Sequence, residues 1–211
     1  MKNSVNILST KVLAEKLSIA IKGVGAGLIQ YDFIEVKGLE LENISHSTLM
    51  ISSKNAIEDV DFEGKTVFCV GNKTRLAIEN AGGEVTEVFE NSQKMAQAVA
   101  GIGNPATFVC GVLRMKNVEQ EFENAGVELE IVEAYDTLLK PMKVSEDVDV
   151  AMFYSPSGVG SYFSENELKG VAVCIGETTE AEAKKYTENT VVASTTTIES
   201  VVNKAIEMIK G

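Results

Sequence analysis

The chain has few of the residues that metal sites, disulfide frameworks and catalytic triads require. Its 211 residues include one histidine, three cysteines, three prolines and no tryptophan. A single histidine, His46, excludes a histidine-centred zinc site and disfavours a Ser-His-Asp triad. His46 stands in a polar stretch, 43–47, where we expect it to be solvated. Cys69, Cys110 and Cys174 end or nearly end apolar runs, so we expect them to be buried in strands.

The chain also has little positive charge and no long apolar segment. It contains 19 Lys and Arg against 31 Asp and Glu, which gives a formal net charge of −12. The basic face that nucleic-acid binding requires is therefore not expected. No run approaches the roughly 18 uncharged apolar residues of a membrane span. Lys11, Glu15 and Lys16 interrupt any signal-like segment near the start. We expect a cytoplasmic protein that binds neither nucleic acid nor membrane.

Short apolar runs alternate with segments of helical periodicity, which is typical of βαβ units and a parallel sheet. The final quarter, 148–211, repeats the layout of residues 48–101. Both observations predict an α/β fold with an internal duplication. Strands are predicted at 5–9, 48–51, 66–70, 85–88 and 107–110, extended segments at 30–36 and 129–137, and helices at 12–21, 74–81, 92–100, 117–124 and 197–209.

Local signals at segment boundaries refine this prediction. Ser92 is the expected N-cap of its helix, and another helix is expected to begin at Ser53. The run Gly23-Val24-Gly25-Ala26-Gly27 resembles the phosphate loop of a nucleotide-binding α/β protein. It follows a helix instead of a strand, so the geometry for cradling a phosphate is wrong and we interpret the run as a loop.

Two distant segments repeat one local pattern. Residues 49–56 and 151–158 are each an apolar strand that opens into a serine-containing turn. Residues 64–74 and 170–179 each contain a second strand that ends in Gly-x-x-Thr. Backbone N–H groups at such strand-to-helix turns point outward and suit an anion. The doubled pattern therefore predicts a ligand with several negative groups.

The remaining quarters form a second repeated pair, since residues 7–31 resemble residues 108–135. This order leaves two layouts open. The chain could form tandem domains at 1–103 and 104–211. Alternatively, the first quarter packs with the last and the two middle quarters pack together, joined by extended crossings near 31–37 and 131–140. Periodicity alone does not choose between them.

Five motifs follow one another along the chain. They are Ile51-Ser52-Ser53-Lys54-Asn55-Ala56, Val70-Gly71-Asn72-Lys73-Thr74, Glu133-Ala134-Tyr135-Asp136-Thr137, Phe153-Tyr154-Ser155-Pro156-Ser157-Gly158 and Ile175-Gly176-Glu177-Thr178-Thr179-Glu180-Ala181. Together these motifs resemble the uroporphyrinogen-III synthase family. They stand in the family's order and spacing, and the likeness covers nearly the whole chain. Where many members have Thr-Arg after the first strand, this chain has Thr10-Lys11.

The resemblance implies two similar parallel-sheet α/β lobes of flavodoxin-like or Rossmann-like type, joined by a two-stranded ladder, with a substrate cleft between them. It favours the swapped layout. Lobe 1 would then be residues 1–34 with 138–211, lobe 2 residues 38–130, and the connecting strands 31–37 and 131–140.

The implied activity is that of a hydro-lyase of porphyrin and heme biosynthesis. Such an enzyme cyclises hydroxymethylbilane to uroporphyrinogen III, with loss of water and inversion of ring D. The family resemblance implies a monomer without metal or cofactor, and a transient contact with the preceding pathway enzyme is also expected. The alternative function is a non-catalytic two-lobed protein that binds a small anionic metabolite.

The candidate catalytic residue is Tyr135, on the second crossing strand, because a phenol keeps its proton at neutral pH and can donate it. The candidate carboxylate-binding residues are those of the strand-end turns. Helix capping explains several of them about as well as substrate contact does. These candidates are Thr10, Ser53, Asn55, Asn72, Thr74, Ser155, Ser157, Gly158, Thr178 and Thr179.

Overall fold

The computed structural model describes residues 5–114 and 116–210, and these form two compact units. The first unit contains the chain up to Glu35 and from Leu138 onward, and the second is Val36–Thr137. The outermost residues of the predicted lobe 1, 1–4 and 211, lie outside the described residues. The strands are β1 Asn6–Ser9, β2 Gly27–Gln30, β3 Ile34–Gly38, β4 Thr48–Ile51, β5 Thr66–Val70, β6 Val85–Phe89, β7 Ala106–Gly111, β8 Leu129–Leu139, β9 Val150–Phe153, β10 Val171–Cys174 and β11 Thr190–Val192.

Each α-helix follows a strand, as in βαβ units. The longest described helix, α7, has 13 residues, and no described helix combines the length and apolar character needed to cross a bilayer. A single 3-10 turn at Lys54–Ala56 follows β4. The α-helices are α1 Glu15–Gly23, α2 Asn72–Asn80, α3 Ser92–Ile102, α4 Asn117–Ala125, α5 Pro156–Phe163, α6 Glu177–Ala183 and α7 Ile198–Lys210.

The first unit is built on five parallel strands in the order β11-β10-β9-β1-β2. Strand β1 pairs with β9, so the start of the chain shares a sheet with its last part. Along β9, Val150 and Met152 enter a core that includes α1 and α7. Ala151 and Phe153 point the other way, into a core with α5. Because both faces are covered, the strand is a continuous apolar run.

The second unit has six strands in the order β3-β8-β7-β4-β5-β6. Five of them are parallel. The N–H of Leu39 donates to the carbonyl of Ala134, and that of Lys140 donates to the carbonyl of Phe33. These partners run in opposite directions, so β3 lies antiparallel to β8. Leu49 and Ile51 of β4 pack on one face of this sheet, and Met50 packs on the other.

The structure confirms the α/β class with two mostly parallel sheets. Strands 48–51 and 66–70 have their predicted bounds. Cys69, Cys110 and Cys174 are buried strand residues, as predicted. The run from Gly23 to Gly27 begins no helix, as predicted: residues 24–26 form a short loop between α1 and β2, in which Gly25 has a φ of 81°.

Three local predictions were wrong. The helix expected at Ser53 is only the 3-10 turn. The N-cap of α3 is Asn91 instead of Ser92, because the Asn91 side chain accepts the N–H of Lys94 at 2.9 Å. His46 is largely shielded from solvent, with 19% of its side chain exposed, and its Nε2 lies 3.8 Å from Glu128 Oε1.

Candidate active site

The carboxyl ends of the parallel strands bring several predicted residues to one edge in the second unit. Ile51 of β4 lies level with Val109 of β7 and with Cys69 of β5. At the end of β7, Gly111 lies level with Tyr135 of β8. Neighbouring strands are about 4.8 Å apart. The end of β8, the turn after β4 and the start of α2 after β5 therefore line one edge of the sheet, where α/β folds bind ligands.

Ser53 and Asn55 occupy the turn after β4. The Ser53 hydroxyl oxygen accepts the N–H of Asn55 at 3.2 Å, and both residues are half-buried. Lys54, between them, is exposed. Ser53 therefore caps a single 3-10 turn, and a cation stands beside it.

Asn72 and Thr74 occupy the first turn of α2, but only one of them reaches solvent. Gly71 precedes the helix with a φ of 76°, which suits glycine, and no side chain caps this helix. The first backbone bond of the helix runs from the N–H of Arg75 to the carbonyl of Gly71 at 3.2 Å. Asn72 is exposed, whereas Thr74 is 5% exposed. The Asn72 amide is thus accessible to a ligand, and the Thr74 side chain is largely covered.

Tyr135 is half-buried, and its ring lies across the backbone of Gly111. A methyl group built on Gly111 would lie 2.6 Å from the ring carbon Cζ. The ring also packs against the core that contains Ile51 and Val109. Within the described part of the chain, the Tyr135 hydroxyl has no hydrogen-bond partner. The Tyr135 hydroxyl therefore lies at the carboxyl edge of the sheet and donates a hydrogen bond to none of the described groups.

The first unit groups the remaining candidates around the end of β9. The Ser155 hydroxyl oxygen accepts the N–H of Gly158 at 3.0 Å and so caps α5. A methyl group on Gly158 would lie 3.3 Å from the Ser155 oxygen and 3.6 Å from Thr10 Oγ1. Ser157 is half-buried on the same turn. Since Cys174 pairs with Phe153, the start of α6 lies beside this turn.

Two threonines in this group have limited access to a ligand. Thr10 is 4% exposed, and its hydroxyl donates to the carbonyl of Met152 at 2.8 Å. Thr179 is 3% exposed, and its N–H donates to the carbonyl of Gly176 at 3.1 Å. Thr178 is exposed. Of these three threonines, Thr178 has the hydroxyl most accessible to a ligand.

Sequence reasoning missed a further hydroxyl-rich turn between β11 and α7. Ser194, Thr195 and Thr197 line a cavity of about 400 Å³. Thr197 Oγ1 accepts the N–H of Ser200 at 3.1 Å, so it caps α7 as Ser155 caps α5. The run of hydroxyl residues directly after a strand was the signal that could have identified this turn.

The hydroxyl of Tyr154, which precedes Ser155, makes polar contacts within the fold. The Ser9 hydroxyl donates to the carbonyl of Lys11 at 2.5 Å, and its oxygen lies 3.2 Å from the Tyr154 hydroxyl, which also lies 3.7 Å from Met152 Sδ. Burial raises the pKa of Tyr154 to about 12, although the Ser9 bond acts against that shift. The Tyr154 hydroxyl is therefore bonded within the fold, whereas the Tyr135 hydroxyl has no partner among the described residues.

The thiols are poorly suited to nucleophilic chemistry. Burial raises the pKa of Cys69 and of Cys110 to about 11, and that of Cys174 to about 12. The nucleophile would be the thiolate, which is scarce at neutral pH in such surroundings. Across residues 5–114 and 116–210, no group of three or more His, Cys, Asp or Glu residues is placed to hold a metal ion.

A cavity of about 1170 Å³ lies at the opposite end of the first unit. It is lined by residues at the amino ends of strands, including Asn6, Asp149 and Gly170. Five acidic residues line it. Both its position and its negative charge make it a poor site for an anionic ligand. The carboxyl edges of the sheets, not this cavity, are the candidate site.

Comparisons with known proteins bear on the fold and on the family of this chain. A search of curated proteins finds no match. Uroporphyrinogen-III synthetase from Helicobacter pylori matches with a TM-score of 0.70 at 14% identity, covering 96% of this chain and 99% of that chain. A mutant uroporphyrinogen III synthase from Thermus thermophilus matches with a TM-score of 0.76 at 13% identity, covering 98% of this chain and 99% of that chain. At these identities the likeness establishes the fold.

The sequence itself carries the family assignment. The sequence model described as uroporphyrinogen-III synthase HemD matches residues 35–203, which is well over half of the chain. This chain therefore belongs to the uroporphyrinogen-III synthase HemD family.

Proposed function

We propose that this protein cyclises hydroxymethylbilane to uroporphyrinogen III, with Tyr135 as proton donor and the strand-end turns as carboxylate sites. Its family consists of cyclising lyases of heme biosynthesis. The observation that carries the proposal is the edge of the second sheet, where the free Tyr135 hydroxyl lies in line with the turns after β4 and β5. In this proposal residues 1–34 with 138–211 and residues 38–130 act as two binding lobes, linked through 31–37 and 131–140.

The protein has a formal net charge of −12, which repels an anionic substrate. Local dipoles and individual lysines would therefore have to bind the substrate carboxylates. Helix starts present backbone N–H groups, and each charge-assisted bond contributes about 1–3 kcal/mol. Lys11 and Lys54 are exposed directly beside Thr10 and Ser53. The repulsive field of the whole molecule is screened over about 8 Å at physiological salt, so these short-range contacts dominate.

The exposed or half-buried candidates are better placed to meet substrate than the covered ones. Thr10, Thr74 and Thr179 are nearly buried, so we assign them to holding the turns in shape. The proposed contacts come from Ser53, Asn55, Asn72, Ser155, Ser157 and Thr178 and from the N–H groups around Gly158.

Tyr135 would act on the terminal hydroxymethyl group. Its hydroxyl donates a proton as that group's C–O bond breaks, and the oxygen leaves as water. The substituted α-carbon of ring D then forms the new carbon–carbon bond to the electrophilic methylene. In the resulting spiro intermediate the bond from that carbon to its original bridging methylene breaks and re-forms at the free α-carbon of ring D, which inverts the ring. The proton lost from that carbon balances the one that Tyr135 gave up. One positioned acid contributes about 10²–10⁴-fold in rate. Holding the two ends of the bilane together supplies a further factor.

We also infer that the protein works as a cytoplasmic monomer without metal or cofactor, in transient contact with the preceding pathway enzyme. The proposed steps need only a proton donor and carboxylate sites, which the described residues supply. Light scattering of the purified protein tests the monomer. Activity that survives exhaustive dialysis against a chelator tests the independence from metal.

The decisive test of the activity is the isomer formed from fresh hydroxymethylbilane. Spontaneous closure gives the type I isomer, so an active enzyme is recognised by type III product after oxidation and chromatographic separation. The Helicobacter pylori enzyme serves as positive control. If the control gives type III and this protein gives only type I, the proposal is wrong and a binding protein becomes the better hypothesis.

The role of Tyr135 is tested by Tyr135→Phe, which removes only the hydroxyl. We expect kcat to fall by about 10²-fold or more, with KM changed little. Tyr31→Phe is the matched control because Tyr31 is the counterpart of Tyr135 in the repeat, and it should keep full activity. Equal rates for the two variants would refute Tyr135 as the donor while leaving the cyclisation itself intact.

A further inference from the structure

We infer that Gly111 is a positioning residue for the reaction, because the lack of a side chain at its position sets the pose of the Tyr135 ring. This inference rests on the proposed role of Tyr135 and assigns a function to a residue outside the catalytic and binding set. The ring lies so close to Gly111 that an added methyl carbon would stand 2.6 Å from Cζ, 2.8 Å from Cε2 and 3.0 Å from the hydroxyl oxygen. Non-bonded carbons prefer about 3.5–4.0 Å.

A β-bulge turns the Tyr135 side chain toward Gly111. The pairing of β7 with β8 shifts by one residue, so Cys110 faces Glu133 but Gly111 faces Tyr135, and Ala134 has no partner on β7. Successive strand residues normally point to opposite faces. Here Ala134 and Tyr135 pack on the same face, against one core. The bulge thus places the ring on the face toward which a side chain at Gly111 would also point.

The backbone of Gly111 does not itself require glycine. Its φ is outside the left-handed region that is occupied by glycines such as Gly71 and Gly103, and it is a regular residue of β7. Alanine would therefore fit the backbone without strain. What excludes a side chain here is the ring of Tyr135.

The consequence for catalysis follows from the size of the clash. To reach ordinary contact with an alanine methyl group, the ring must move by about 1 Å. A displacement of that size at a catalytic group can cost about 10²-fold in rate. Gly111→Ala should therefore lower kcat by about 10²-fold, while KM stays within about threefold because the carboxylate-binding turns do not change.

A double-mutant cycle separates positioning from general disturbance. Phenylalanine at position 135 keeps the ring and its clash but has no hydroxyl to misplace. If Gly111 acts through the hydroxyl, Gly111→Ala should cost about 10²-fold in the native background and less than about threefold in the Tyr135→Phe background. Equal losses in both backgrounds, or full activity of Gly111→Ala, would overturn the inference.

Gly83→Ala is a matched structural control. A methyl group there would lie 2.8 Å from the ring of Phe62, away from the carboxyl edge, so this variant should lose stability and keep its kcat. The cycle also tests the proposed function separately. Full activity of Tyr135→Phe would refute the donor role itself, whereas an impaired Tyr135→Phe with an active Gly111→Ala would refute only the inference about Gly111.

A second measurement covers the case in which Gly111→Ala does not fold. Adding Tyr135→Ala removes the ring that the new methyl group meets, so the double variant Gly111→Ala/Tyr135→Ala should regain a cooperative thermal transition. If folding is not restored, the ring is not what excludes a side chain at this position, and the inference fails.

Discussion

Ser155 allows helix capping and carboxylate binding to be separated at one atom. Its hydroxyl oxygen accepts the N–H of Gly158 at 3.0 Å, which is a capping bond, and the same turn is a proposed substrate contact. Three substitutions change these properties independently. Ser155→Ala removes the cap, Ser155→Asn keeps a neutral cap, and Ser155→Asp keeps the cap but adds a negative charge.

The stability effects follow from capping alone. Loss of an N-cap costs about 1 kcal/mol in the free energy of unfolding, so Ser155→Ala should lower the Tm by about 2–4 °C in a chain of this size. Asparagine and aspartate are among the best caps, and a negative charge at a helix start interacts favourably with the helix dipole. Ser155→Asn and Ser155→Asp should therefore retain the stability of the native protein.

The binding effects depend instead on charge. Two negative charges about 5 Å apart repel by about 3 kcal/mol at an effective dielectric constant of 20, which corresponds to about 10²-fold in affinity. Ser155→Asp should raise KM for hydroxymethylbilane by about that factor, and by less at high salt. Ser155→Asn should change KM by less than about threefold.

Initial rates and thermal melts on the same preparations measure both effects. If aspartate and asparagine give the same KM, no substrate carboxylate lies near this turn, and Ser155 only caps α5. If alanine raises KM as much as aspartate does, loss of the turn's shape and not charge is responsible. Either result would refute the reasoning that assigns carboxylates to the strand-end turns.

Two further predictions concern the stability of the fold. Asn166 is 8% exposed and forms hydrogen bonds of 2.7–2.9 Å with backbone groups of Val144, Met142 and Tyr162. Asn166→Leu should lower the free energy of unfolding by about 3 kcal/mol and the Tm by about 6–12 °C, and it should leave kcat unchanged. An unchanged Tm would contradict this prediction. Burial raises the pKa of the Cys174 thiol from 9.0 to about 12 in the folded protein. The protonated thiol therefore stabilises the fold fully below pH 9. Between pH 9 and pH 12 this stabilisation declines by about 1.4 kcal/mol per pH unit. Urea unfolding at increasing pH should therefore show a steeper loss of stability for the native protein than for Cys174→Ala, and equal slopes would refute the assigned burial effect.

Much of the local structure was predictable because it depends on neighbouring residues. The strands at 48–51 and 66–70 are apolar runs bounded by polar or glycine residues, so their limits are visible in the chain. Burial of Cys69, Cys110 and Cys174 follows from apolar runs of the same kind. The five motifs in order also sufficed to indicate the family, since their spacing is a property of the chain itself.

Other predictions were wrong because the outcome depended on the three-dimensional structure and not on neighbouring residues alone. Asn91 and Ser92 are both good capping residues, and Asn91 is the one whose extended backbone, with φ −152° and ψ 167°, lets its side chain accept the bond. The expected helix at Ser53 ends after one turn. His46 looked solvated in its polar stretch, but the chain brings it within 3.8 Å of Glu128, which is far away in sequence.

The sequence by itself determined the alternation of strands and helices, the buried apolar runs and the family to which the chain belongs. Only the tertiary structure decided that the Thr10 hydroxyl donates a hydrogen bond to Met152 and that Tyr135 lies across Gly111. Both contacts join residues far apart in the chain, and they depend on strand register, including a bulge of one residue. Register is set by how whole strands pack against each other, and for that reason no local pattern could reveal it.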